Sequence, residues 1–244
     1  MSLVERLDIN RFDIKMLGYH VKCSRVADER SLPFPVQTFM SKTLKFEKDM
    51  AKRRAGSDQK TYCHLSYYVN LSNPAHPMDK YFWEIDRSVK LGLNGCVVHV
   101  GKALKLPKDE ALSLMADNIN ILLEHCTIQC PLMLETPAGQ GTELVRDFEG
   151  FSSFCNQFIH DQRFAVCIDT CHVFAAGHCP LDYVDRWLNE SCIRLGLIHM
   201  NDSKCPKGSC KDRHERVGQG YIGFEVLSQV IELSESIGID MIRE

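Results

Sequence analysis

Short apolar runs and longer stretches of helical period alternate along the chain. Eight runs rich in Val, Ile, Leu and Cys have the length and composition of buried parallel strands: Met16–Val21, Val36–Met40, Tyr62–Tyr67, Cys96–Val100, Leu132–Glu135, Ala165–Asp169, Leu195–Met200 and Asp240–Glu244. Segments with apolar positions three and four residues apart lie between most of them. Pro107 opens one, with Asp109 and Glu110 in its first turn, where acids favour a helix N-terminus. Its apolar stripe runs Leu112, Met115, Ile119, Leu122, Cys126, and the next runs Leu144, Phe148, Phe151, Cys155, Phe158. Further helices are predicted near Lys80–Leu91, Leu181–Glu190 and Phe224–Ile237. Eight strands alternating with helices in 244 residues predict an α/β fold, a (β/α)8 barrel of the TIM type, with a doubly wound open sheet as competitor. No G-x-G-x-x-G follows a strand and no G-x-x-x-x-G-K-[ST] is present, so the nucleotide-binding open sheets lose ground.

Composition narrows the class. Hydrophobic residues make up 44% and charged residues 25%, with no linker or low-complexity tract, which predicts one domain over residues 1–244 with residues 1–13 as an N-terminal extension. No run approaches the ~18 apolar residues of a membrane span, and the charged start MSLVERLDINRFD is unlike a secretory signal. The expectation is an intracellular, non-secreted protein whose twelve cysteines stay reduced. Cys205, Cys210 and His214 form C-x4-C-x3-H, but a fourth ligand at knuckle spacing is missing, so a structural zinc knuckle is set aside.

The net charge of −3 is unevenly spread. Lys42–Lys60 carries seven Lys/Arg against three Asp/Glu, and Lys204–Arg216 five against two, which leaves −10 on the remainder. Two basic segments on an acidic body are either solvated surface or a track for a phosphate backbone.

The informative feature is where the metal-type side chains fall. His64, His99, Glu135, Asp169 and His199 end, or nearly end, successive predicted strands at spacings of 35, 36, 34 and 30 residues, about one βα unit each. In a barrel, the carboxyl ends of neighbouring strands surround one opening. Glu244 ends the eighth strand, and His172 lies just past the sixth. The long seventh connection carries Asp212 and His214, two apart and so on one side of an extended chain. Four carboxylates in one cleft repel each other unless cations are present. A set of five His and four Asp/Glu suits zinc or manganese rather than calcium, and nine donors imply two or three ions. Clustered dications serve phosphate-ester hydrolysis by activating water and neutralising phosphate and leaving-group charge.

The motifs YCHLSYYVNLSNP (Tyr62–Pro74), VVHVG (Val97–Gly101), LETPAGQG (Leu134–Gly141), CIDTCHVFAAGH (Cys167–His178), and HMNDSK followed by DRHERVGQGYIG (His199–Gly223) resemble those of the endonuclease IV family, zinc-dependent apurinic/apyrimidinic endonucleases with a TIM-barrel fold. The resemblance runs in order from about Met16 to Glu244. It implies three zinc ions, with Mn2+ as a substitute, and incision of duplex DNA 5′ to an abasic residue, leaving a 3′-hydroxyl and a 5′-deoxyribose phosphate in base excision repair. Carried over by motif, His64, His99 and Glu135 would hold one zinc. Glu135 would bridge to a second, completed by Asp169, His199 and Glu244. His172, Asp212 and His214 would hold the third. Glu135 and Glu244 are the carboxylates expected to matter most for catalysis. Tyr67 matches a family residue that inserts at the lesion.

Two departures bear on this expectation. The family often has a polar or basic minor-groove probe in the loop after strand two, where this chain offers Met40-Ser41-Lys42-Thr43-Leu44-Lys45. Leu44 is then the expected probe, with Lys42 and Lys45 on the DNA. The sequence also ends at Glu244, so the last barrel helix is expected to be missing, with the first thirteen residues the candidate cover. A monomer is expected. Two alternatives stay open from sequence: a metal-dependent sugar isomerase of the same barrel superfamily, which needs one or two ions and not the Asp212/His214 pair, and a non-catalytic DNA-binding relic.

Overall fold

The computed structural model describes residues 17–21, 34–54, 59–75 and 77–244. Eight parallel strands close into a barrel: β1 (Gly18–Val21), β2 (Val36–Phe39), β3 (Thr61–His64), β4 (Cys96–His99), β5 (Leu132–Glu135), β6 (Phe164–Asp169), β7 (Leu195–His199) and β10 (Met241–Arg243), with β1 joining β10 to β2. All eight predicted strands are there, within a few residues. The expected cover from residues 1–13 lies outside the described residues. The third strand stops at His64, so Tyr67 sits in the turn that follows rather than in the strand. The cause is local: the Ser66 amide donates to the buried Glu84 carboxylate (3.0 Å) instead of continuing the ladder.

The helices pack outside the barrel: α1 (Leu44–Arg54), α2 (Asp79–Leu91), α3 (Lys108–Leu123), α4 (Phe148–Cys155), α5 (Thr170–Ala176), α6 (Pro180–Glu190) and α7 (Phe224–Ile237). The predicted 107 stripe forms α3 with Pro107 as N-cap, burying Ala111, Met115, Ile119 and Leu122; Leu112 is only half-buried and Cys126 lies past the helix end. Leu144 precedes α4, which Asp147 caps by accepting from the Gly150 amide at 2.8 Å. α1 and α5 were not expected. The Lys-rich α1 lacks a continuous apolar stripe, and α5 has only seven residues before Gly177 ends it at φ 109°. Leu44 is therefore the first residue of a helix, not a loop residue; its side chain lies outside the described ones.

Alternation within the strands makes the site. Alternate residues such as Cys96, Val98, Leu132, Leu134, Val166 and Ile168 pack outward into the main core beneath the helices. The inward-facing set Tyr62, Val97, Met133, Cys167, Leu197 and Ile242, with Ala165, forms a separate apolar plug inside the barrel. Two residues further along the same strands stand His64, His99, Glu135, Asp169, His199 and Glu244. Every one of these side chains thus stands one layer above an apolar floor. Register keeps that layer level: His99 pairs with Glu135 and Asp169 with His199. A shift at Val166/Cys167 skips Gly196, which turns His199 rather than Ile198 inward opposite Asp169. Gly196 suits the position because a Cβ there would press on the Met133 thioether of the plug at 3.0–3.1 Å.

Candidate metal centre

The structure brings all nine predicted donors to the carboxyl-end mouth. Glu135, buried at the end of β5, is the hub: one oxygen lies 2.9 Å from His99 Nε2 and 3.5 Å from His64 Nε2, the other 2.7 Å from His199 Nδ1. His199 Nδ1 also faces Glu244 at 3.4 Å and Asp169 at 3.8 Å. The third group forms around Asp212, whose Oδ1 lies 3.3 Å from His172 Nε2 and 3.1 Å from His214 Nε2; Asp169 Oδ2 lies 3.5 Å from His214. Three clusters of donor atoms follow: His64, His99 and Glu135; Glu135, Asp169, His199 and Glu244; and Asp169, His172 and His214, with Asp212 beside them.

Local folding explains the placement. Asp169 ends β6 and caps α5, accepting from the His172 amide at 2.9 Å, which fixes the two donors three residues apart. His64 Nδ1 donates to the Leu65 carbonyl (2.7 Å) and His172 Nδ1 to the Thr136 carbonyl (2.9 Å), so both rings turn Nε2 to the cluster. A short antiparallel pair, β8 (Asp202–Ser203) and β9 (His214–Glu215), folds the seventh connection back and delivers Asp212 and His214.

The donors fit divalent ions. Glu135 Oε2, His172 Nε2 and His214 Nε2 are buried and make no hydrogen bond, though each has oppositely polarised neighbours within about 3.5 Å. The facing charges shift the proton affinities of these donors. Burial alone would lower the His64 pKa, but Glu135 and Glu244 raise it to about 9; His214 is likewise carried to about 9 by Asp169 and Asp212. His172 and His199 are raised in the same way, by Asp169 and Asp212 and by Glu244 and Glu135 respectively. Against burial, the facing histidines hold the Glu135, Asp212 and Glu244 carboxyls well below the usual range.

Several residues at the site were not foreseen. Gln37, fully buried on β2, accepts from His199 Nε2 (2.9 Å) and donates to Glu244 Oε1 (2.7 Å). Asn201 donates to Asp169 Oδ2 (2.7 Å) and accepts from the Glu244 amide (2.9 Å). Cys171 offers its thiol to the Asp212 and His214 group, while Cys210 of the dismissed knuckle faces Arg146 at 3.4 Å. A polar side chain inside an apolar strand was the available signal for Gln37, since a buried amide needs partners. Gln37→Leu is expected to weaken retention of a divalent ion by the group containing His199 and Glu244 by about 10–100-fold with little change in thermal midpoint. Chelator competition on the purified variant measures it.

His20, Phe39, His64, Tyr67, His99, His172, Asp212, His214 and Glu244 line the cavity at this mouth, of about 500 Å³. Tyr67 stands on the rim, 59% exposed, its ring 6.2 Å from Phe39. A neighbouring groove shares His214 and Glu244 and adds Asn201, Lys204, Arg216 and Arg243. Lys42 and Lys45 do not line the mouth: the Lys42 ammonium lies 5.2 Å over the Trp83 ring, and Lys45 is exposed on α1.

A family model for the xylose isomerase-like TIM barrel matches residues 42–243. A probable endonuclease 4 from Geobacillus sp. is 30% identical over 93% of this chain and 86% of its own length. The chain belongs to the endonuclease IV family. Another member, a probable endonuclease 4 from Lysinibacillus sphaericus, is 33% identical over 74% of this chain and 64% of its own. Endonuclease IV from Thermus thermophilus superposes with a TM-score of 0.76 at 23% identity, covering 94% of this chain and 91% of that one, which speaks to the fold. Among the described residues, no helix is long and apolar enough to cross a membrane.

Proposed function

We propose that the chain is a zinc-dependent apurinic/apyrimidinic endonuclease that hydrolyses the phosphodiester 5′ to an abasic residue in duplex DNA, leaving a 3′-hydroxyl and a 5′-deoxyribose phosphate. The observation that carries this reading is the convergence of nine donors, three with orphaned buried atoms, at the base of an open mouth. His64, His99 and Glu135 would hold one ion, Glu135, Asp169, His199 and Glu244 a second, and His172, Asp212 and His214 a third. Divalent ions there would supply Lewis acidity, activating the water nucleophile near neutral pH and neutralising charge on the phosphoryl and leaving oxygens.

The chain's own part is preorganisation. Glu135 ties two donor groups together, Gln37 and Asn201 fix the Glu244 and Asp169 carboxylates, and backbone carbonyls set the His64 and His172 tautomers. The buried apolar plug lies directly beneath the donors. Lys204, Arg216 and Arg243 beside the mouth suit the flanking phosphates. Tyr67 and Phe39 offer apolar surface at the rim, where a nucleotide lacking its base leaves a gap in the stack. Tyr67→Ala should weaken binding to an abasic-analogue duplex by roughly tenfold, the order of one lost stacking contact, and leave the zinc content unchanged.

Incubating purified protein with a duplex bearing one tetrahydrofuran abasic analogue tests the activity. A nick 5′ to the analogue that a polymerase can extend supports it; an intact duplex alongside an active control enzyme refutes it.

A further inference from the structure

Asp202 lies in β8, three residues after His199, and is fully buried. Its carboxylate accepts five backbone amides. Oδ1 takes Ser203 (2.7 Å) and Ile222 (2.9 Å); Oδ2 takes Gly218 (3.1 Å), Gly220 (2.9 Å) and Gly223 (3.4 Å). Among the described residues, no Lys, Arg or His forms an ion pair with it. Amide dipoles therefore offset its charge, helped by the N-terminus of the 14-residue α7, whose N-cap is Gly223.

The position matters because of what the carboxylate closes. Asp202 pairs across the two-stranded ladder with Glu215, and Ser203 pairs with His214. The Lys204 amide donates to the Arg213 carbonyl and the Tyr221 amide to the Ser203 carbonyl, both at 2.8 Å. One carboxylate thus grips both ends of the segment that carries Asp212 and His214, one end at β8 and the other at the 218–223 turn leading into α7. The five hydrogen bonds of its side chain all go to backbone amides, none to the side chain of a donor.

We propose that Asp202 is a positioning residue: it locks the seventh connection so that Asp212 and His214 meet His172, and it sets occupancy of the third metal group independently of the other two. The metal half of the proposal rests on the three-ion reading above; the locking half does not. An amide at this position supplies one acceptor oxygen and turns its NH2 toward further N–H donors, so several of the five lose their acceptor. Gly220 gives a second handle, because a Cβ there would collide with the Ser203 carbonyl and the Asp202 carboxylate.

The test compares wild type, Asp202→Asn and Gly220→Ala in two measurements. In the metal-free proteins, trypsin should cut within Lys204–Arg216, which holds five Lys/Arg, roughly tenfold or more faster in both variants than in wild type. After zinc loading, wild type should hold three ions per chain and the variants about two. Unchanged trypsin resistance in a folded variant overturns the locking role. Looser loops with three zinc ions retained overturn the control of occupancy. A wild type holding fewer than three ions refutes the three-ion reading instead, and the trypsin comparison still decides the lock. If Asp202→Asn does not fold, Gly220→Ala carries both measurements.

Discussion

Glu135→Gln is expected to reduce incision by at least about 10³-fold, the upper end for removing one electrostatic contributor from an active site, because this carboxylate serves two donor groups at once. Its two oxygens face different histidines, His99 and His64 on one side and His199 on the other. Glutamine keeps the shape but offers a neutral oxygen and an NH2, which turns two donors away. Zinc content should fall below three along with the rate. Glu244→Gln should cost less, about 10²-fold, since Glu244 has its nearest histidine donor in His199 (3.4 Å), with His20 (3.6 Å) and His214 (3.9 Å) farther off, and is partly held by Gln37 and Asn201. Both variants should fold, because the plug and the outer core do not use these side chains. Steady-state rates with metal analysis on the same preparations check the ranking.

Removing the metal should have the largest effect of all, and should make stability depend on pH. Without cations, His64 and His214 have pKa values near 9 against an ordinary 6.5. A raised folded-state pKa means that protonation stabilises the fold. That contribution is complete below pH 6.5 and is lost as pH climbs through about 9. The thermal midpoint of chelated protein should therefore fall between pH 6.5 and 9, whereas zinc-loaded protein, with neutral ligating imidazoles, should not show this decline. Zinc added to metal-free protein at pH 7 must displace the protons on these two rings, so apparent affinity should rise with pH until about 9. Calorimetry in buffers of different ionisation enthalpy counts the released protons. No proton release on zinc binding would mean that the ions are held elsewhere.

The donor layer was legible in the sequence for a geometric reason. Strand alternation puts a residue and its second successor on one face, and βα units recur at near-constant length, so His64, His99, Glu135, Asp169 and His199 announce themselves by spacing. The plug below them obeys the same period but consists of ordinary apolar residues, so nothing marked it as a floor. Gln37, Asn201 and Asp202 act through long-range partners: Gln37 meets Glu244 across 207 positions. Such pairs leave no local pattern. α1 was missed because its buried residues, among them Phe46 and Met50, are sparse within a Lys-rich run. With α1 in place, Leu44 starts a helix rather than lying in a loop, and the Lys42 ammonium lies over the Trp83 ring.

Titration of metal-free protein with zinc, followed by incision of a duplex carrying one abasic analogue, tests the central claim most directly. The account predicts that 5′ incision yielding a 3′-hydroxyl rises with the third equivalent of zinc and needs no added magnesium. Full activity with a single equivalent bound, or none after three, would contradict it.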